Sequence, residues 1–88
     1  MLTKTLAIDW AKHNIQVNAI APGVFETPMT SGLLRDEGFK EIIKNNIPLG
    51  RSGEPNELVG TAVFLASDAS SYVTGSVITV DGGWTAGL

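Results

Sequence analysis

Few residues in this chain are of a type that does chemistry unaided. Among 88 residues there is no cysteine, one histidine (His13) and one tyrosine (Tyr72). Without thiols there is neither a disulfide nor a thiolate metal site, and a single imidazole cannot build a histidine metal site. The remaining candidates cluster after a short apolar segment. There Pro22-Gly23 is followed by Thr27, with Glu26 the only charge beside them. Read alone, Pro22-Gly23 is a strand-ending turn, since proline cannot donate to a ladder and glycine permits a sharp bend. Thr27 read alone is an N-cap for a short helix starting at Pro28. Glu26 is expected to face solvent.

The elements that would position these residues follow from periodicity. Residues 2–13 read as a helix, with Leu2, Leu6, Ala7, Trp10 and Ala11 on one face as core. Lys12 and His13 suit its C-terminal dipole, and Asn14 suits a left-handed end. Ile15–Ala21 reads as a strand buried on both sides, as in parallel sheets. Val24–Ser31 has no regular period and reads as a loop. Phe39, Ile42, Ile43 and Ile47 stripe a helix over Arg35–Asn46, which Pro48 ends. Arg51-Ser52-Gly53 is a turn, and Pro55 opens a further helix whose buried face is Leu58, Val59, Ala62, Val63 and Ala66. Gly60 on that helix is expected to allow close packing. Val77–Val80 is a second short strand, broken by Asp81-Gly82-Gly83. Two apolar strands joined by helices predict an α/β fold with a parallel, right-handed crossover.

The chain is long enough for one small domain. Its apolar content of 43% argues for a packed core. A net charge of −3 with scattered Lys and Arg shows no basic face, so neither nucleic acid nor an anionic membrane is expected as a partner. No apolar run approaches a membrane span and no signal-peptide pattern opens the chain. A soluble cytoplasmic protein is expected.

Several strings together resemble the C-terminal part of the short-chain dehydrogenase/reductase family. They are Val17-Asn18-Ala19-Ile20-Ala21-Pro22-Gly23 with Thr27, then Pro48-Leu49-Gly50-Arg51 with Gly53-Glu54-Pro55. Phe64-Leu65-Ala66-Ser67-Asp68, Val73-Thr74-Gly75 and Val80-Asp81-Gly82-Gly83 complete the set. Each is weak alone; their order and spacing across the whole chain are specific. Within the family, Pro22–Met29 is similar to the run in 3-oxoacyl-carrier-protein reductase and gluconate 5-dehydrogenase-like members.

The resemblance implies a C-terminal fragment of a Rossmann-type doubly wound parallel sheet: two parallel strands with flanking helices and a nicotinamide cofactor, NAD or NADP, at the strands' carboxyl ends. It implies that Pro22 and Gly23 shape the backbone for close approach, that Val24 bonds the carboxamide through its backbone, and that Thr27 bonds the cofactor through its hydroxyl. Phe25, Met29, Leu33 and Leu34 would then line a lid over an alcohol or ketone substrate, excluding water from hydride transfer; alternatively they pack on the neighbouring helix.

The family's Tyr with a Lys four residues later, its orienting Ser, its Gly-rich phosphate loop and the residue choosing NAD or NADP have no counterpart here. Tyr72 is followed four residues later by Ser76. Residues 2–7 resemble the second half of the helix carrying Tyr and Lys. The expectation is therefore that residues 1–88 are the C-terminal part of one dehydrogenase domain, starting just after the catalytic Lys; Met1 suggests translation from this point, or is an internal Met of a longer parent that coincides with the cut. The chain alone should be inactive, and strand Ile15–Ala21 should lack its upstream partner. The isolated chain should be unstable or self-associate unless another chain completes the sheet. The resemblance also implies a homo-oligomer contact through residues 55–67 and 77–83. The other readings are a non-catalytic remnant that only self-associates, and an unrelated small α/β binding domain.

Overall fold

A computed structural model describes residues 1–87. Helix α1 spans Leu2–Trp10, β1 Ala19–Pro22, α2 Ser31–Leu34, α3 Glu37–Asn46, α4 Pro55–Ala66 and β2 Val77–Val80. Short 3-10 turns cover Ala11–His13, Asp68–Ser70 and Trp84–Gly87. β1 and β2 pair in parallel, Ala19 opposite Val77 through Pro22 opposite Val80. The two strands are thus joined by a helical crossover, as the alternation of patterns predicts, but through three helices rather than the two expected, with α2 the addition.

The first strand lies later than its apolar pattern suggests, because side chains replace the ladder over residues 16–18. Gln16 Nε2 donates to the carbonyls of Ser70 (2.5 Å) and Val73 (2.8 Å). The Val17 N–H donates to Thr74 Oγ1, and the Gly75 N–H to the Val17 carbonyl. Asn18 uses both ends of its amide: Nδ2 donates to the Val73 carbonyl and Oδ1 accepts from the Ser76 N–H, each at 3.0 Å. Polar residues in an apolar run thereby carry the pairing through an irregular partner segment. Ser70, fully buried, directs its hydroxyl to the carbonyls of Leu65 and Ser67.

Pro22 belongs to the strand rather than stopping it. The flanking Ala19 and Gly23 N–H groups donate toward β2, to Ser76 and Val80. By alternation the Pro22 nitrogen faces the opposite edge, where no donor is needed for this pairing. β1 is half-buried rather than buried on both faces, with β2 its only strand neighbour among the described residues.

The small core holds Ala7, Phe25, Ile43 and Ile47. Two expected apolar faces are not covered. On α1 only Ala7 is buried, while Leu2 is 71% and Trp10 43% exposed. On α4 Val59 and Val63 are exposed, and a Cβ built at Gly60 meets nothing within 4 Å. The physical reason is the same in both cases: the described residues contain no element lying across these faces. The helix expected over 2–13 also tightens to a 3-10 turn after Trp10, ending on Asn14 in the left-handed conformation (φ 59°). The helix expected from Arg35 starts at Glu37 instead, because Asp36 caps it by accepting from the Phe39 N–H. No helix among the described residues is long and apolar enough to cross a membrane.

Replacing Asn18 with Leu removes both bonds that bind residue 18 to residues 73 and 76. It leaves a half-buried carbonyl and N–H without these partners. A loss of about 1–3 kcal/mol is expected, read as a lower urea midpoint at unchanged slope.

Candidate functional site

The carboxyl ends of both strands open onto one region, because parallel strands finish at the same edge. β1 delivers Pro22-Gly23 there, and β2 delivers Asp81-Gly82-Gly83. The two turns are in direct contact: a Cβ on Gly23 would lie 2.6 Å from Asp81 Cβ and 2.8 Å from its Cα. Backbone cannot give way there, so the close approach requires glycine at position 23. Asp81 folds its own turn by accepting from the Gly83 N–H (2.9 Å), the Thr85 N–H (3.0 Å) and the Thr85 hydroxyl (2.7 Å). Gly82 takes φ 65° and sits against Ile47 Cγ2, where a Cβ would come within 2.7 Å. Leu49 donates to its carbonyl, which joins the Pro48 segment to the same edge.

Downstream of Gly23 the chain bonds to Gly53. The Gly53 N–H donates to the Val24 carbonyl (2.8 Å) and the Glu26 N–H donates to the Gly53 carbonyl (2.9 Å). Phe25 is thereby held in a one-residue parallel bridge with Gly53, the residue 8% exposed and its ring against the glycine. The Val24 N–H donates to none of the described residues.

Thr27 and Thr30 interlock. The Thr27 N–H donates to Thr30 Oγ1 (2.9 Å), the Thr30 N–H to Thr27 Oγ1 (3.3 Å), and the Thr30 hydroxyl to the Phe25 carbonyl (2.6 Å). With the Thr30 proton committed to Phe25, the Thr27 proton points either to Thr30 Oγ1, 3.2 Å away, or outward. Thr27 caps a turn over 28–30, and the helix starts at Ser31. Met29 is 95% exposed, Leu33 is exposed and Leu34 half-buried. Glu26 is exposed, as its position beside the turn suggested. Tyr72 lies fully exposed between α4 and β2.

Cavities flank these strand ends. One of about 100 Å³ is bordered by Val24, Phe25, Arg51, Gly53, Glu57 and Asp81 among others. A second of about 230 Å³ is bordered by Ala21, Pro22, Gly23, Thr79, Asp81 and Trp84 among others. Arg51 and Glu57 form a two-pronged ion pair on the rim of the first (2.8 and 3.0 Å). Glu57 also accepts from the Glu54 N–H at the start of α4. The Arg51 hydrogen bonds, then that backbone bond, hold the Glu57 carboxyl down to about 2. Arg51 is correspondingly raised. The Thr85 hydroxyl and N–H hold Asp81 below the ordinary carboxylate value.

The residues that sequence reasoning passed over are therefore Gly53, Asp81, Arg51 and Glu57. Their signals were present: glutamate at the third helical position after Pro55 marks a cap, and aspartate before Gly-Gly marks a side-chain-closed turn.

A family model described as Enoyl-(Acyl carrier protein) reductase matches residues 1–85. The chain belongs to the short-chain dehydrogenase/reductase family. Gluconate 5-dehydrogenase of Gluconobacter oxydans is 52% identical over 87 residues, which are 99% of this chain and 34% of that protein. The crystal structure of a gluconate 5-dehydrogenase from Burkholderia cenocepacia in complex with NADP and tartrate superimposes with a TM-score of 0.91 at 45% identity. That match covers 100% of this chain and 34% of the other. A 4-hydroxyisoleucine dehydrogenase complexed with NADH gives a TM-score of 0.94 at 40% identity, over 99% of this chain and 36% of the other. The chain thus spans about a third of the length of these family members. The two parallel strands and flanking helices form part of a Rossmann-type fold.

The carboxylate shifts set a pH dependence. Glu57 and Asp81 both have folded-state values below their unfolded ones, so their contribution is complete above about pH 4.5 and is lost as pH falls toward 2. The thermal midpoint is expected to fall over that window. The exposed Arg51–Glu57 pair supplies the smaller part of that fall, so Glu57→Gln should shrink it only slightly, which a melting series against pH would read directly.

Proposed function

We propose that this chain supplies the nicotinamide-facing part of an NAD(P)-dependent oxidoreductase that moves hydride between the cofactor and an alcohol or ketone. The observation that carries the reading is the loop after β1. Gly23 is seated on Asp81, the Val24 carbonyl is tied to Gly53, and the Val24 N–H is left without a partner among the described residues. That N–H would donate to the carboxamide oxygen at the strand's carboxyl end. The Thr27 hydroxyl, free to turn outward, would bond the cofactor as well. Pro22 and Gly23 would bring the backbone close to it. The bound nicotinamide supplies the hydride donor or acceptor; the residues of this chain orient it and exclude water.

Phe25, although part of the expected lid, is the buried anchor beneath the loop. Met29 and Leu33 are the exposed apolar residues able to cover a substrate. The relatives whose names specify gluconate and related acids favour a hydroxylated sugar acid or its ketone as that substrate. Either NAD or NADP fits this reading, since solved relatives are bound to NADH and to NADP. The rest of the domain, with the acid/base Tyr and its Lys, would have to come from residues outside these 88. The chain alone is inactive in this reading. Mixed with NADPH or NADH and a keto acid it should oxidise no cofactor. Added to a relative's N-terminal two-thirds it should restore turnover, and Thr27→Val should then raise the KM for the nicotinamide about fivefold. Turnover by the 88-residue chain alone would sink the reading, as would failure of the complemented assembly to bind either cofactor.

A second reading has its own support. The uncovered face of α4, with Val59 and Val63 exposed, favours a role limited to association through residues 55–67 and 77–83, with the chain a non-catalytic remnant. In both readings the isolated chain is unstable or self-associates unless another chain completes the sheet. Sedimentation velocity should show dimers or larger species, and Val63→Glu on α4 should shift them toward monomer. A monomeric species with a cooperative melt would contradict association in either form.

A further inference from the structure

Arg51 and Glu57 lie outside every role given so far to the loop after β1, yet their contacts converge on it. Arg51 Nη1 donates to the Ser52 carbonyl at 3.1 Å and, with Nη2, to the Glu57 carboxylate. The same carboxylate accepts from the Glu54 N–H at 3.0 Å. One ion pair therefore holds the residues on both sides of Gly53. Gly53 in turn holds the residues on both sides of Phe25, through the Val24 carbonyl and the Glu26 N–H. The Phe25 ring leaves no room for even a Cβ at Gly53, whose built Cβ would lie 2.5 Å from the ring.

We infer that the Arg51–Glu57 pair is a positioning device: it fixes Gly53, and through Gly53 it sets where the Val24 backbone presents its free N–H. The pair is itself exposed, its side chains 54% and 42% accessible. Pairs of that kind add little to global stability. Its effect should therefore be local, confined to the bridge between residues 24–26 and 53. The planar fork of arginine matters because it spans a carbonyl and a carboxylate at once, which a lysine ammonium cannot do with the same geometry. The part of this inference that concerns cofactor contact rests on the function proposed above; the positional part does not.

Amide hydrogen exchange separates the two. It is measured on the 88-residue chain in the assembly it forms, and again in the complemented enzyme. In Arg51→Gln and in Glu57→Gln, the Gly53 and Glu26 amides should exchange roughly three- to fivefold faster. Glutamine at 57 still accepts from Glu54, so the start of α4 is retained. The Gly75 amide, bonded to Val17 on the same sheet but remote from the pair, should be unchanged. The double variant should be no faster than either single one, and Arg51→Lys should fall between. Uniform acceleration of Gly53, Glu26 and Gly75 would overturn the inference, because it would mean general destabilisation. No acceleration at Gly53 would overturn it as well. In the complemented enzyme the KM for the nicotinamide should rise severalfold with little change in the pH profile. Selective acceleration with an unmoved KM would leave the positioning device standing and would count against the cofactor role of Val24.

Discussion

The parallel pairing of residues 16–23 with 73–80 is the constraint on which the rest of this structure depends. It joins segments 55 to 58 positions apart along the chain. Closing so long a loop costs entropy before any contact repays it. The repayment is spread over backbone bonds of the strands and over Gln16, Asn18 and Thr74, whose side chains extend the pairing where the partner is irregular. Once this register is set, Gly23 must arrive beside Asp81. A slip by one residue would drive a side chain into that contact and turn Ile20 and Ile78 to the other face.

From that edge, position is passed on by short-range devices that use backbone rather than side-chain chemistry. Asp81 closes its own turn, Gly82 admits Ile47, and Gly53 bridges Phe25. Each step depends on a missing Cβ or on a carboxylate that accepts N–H groups. The groups that could meet a ligand, the Val24 N–H and the Thr27 hydroxyl, are unremarkable in themselves. They acquire a role only through the place to which the sheet brings them.

The sequence was a good guide where one local rule decides an element. The bounds of β2 follow from four apolar and β-branched residues between polar or glycine neighbours. Asn14 ends its helix in the left-handed state because few other residues tolerate it. Pro55 opens α4 for the same kind of reason. It was a poor guide where partners decide. Residues 15–18 look like a strand, but their side chains rather than their backbone do much of the pairing. The stripes on α1 and α4 satisfy helical periodicity, yet periodicity reports which face wants cover, not whether cover exists among the described residues. At the site, Pro22, Gly23, Val24 and Thr27 stand out by motif. Gly53 and Glu57 do not, because their significance lies in pairing with residues 28 and 6 positions away.

The uncovered surface carries a physical consequence. A compact chain of this length has a radius of gyration of about 12 Å; here it is 15.8 Å, with extents of 50 × 25 × 20 Å. The accessible surface is 6259 Å², against about 5,000 Å² for a compact chain of this mass. Four buried apolar residues cannot by themselves offset the backbone entropy of ordering so many others. Such a chain is specified as a surface as much as a core: the same apolar stripes that fail to close an interior are what a complementary body would bury. The loop after β1 inherits that dependence, because its geometry is only as firm as the two-stranded sheet beneath it. Cover over α1, α4 and the open edge of β1 would stiffen the sheet, and with it the distances from Gly23 to Asp81 and from Val24 to Gly53. Completion of the core and precision at the site are in this way one requirement rather than two.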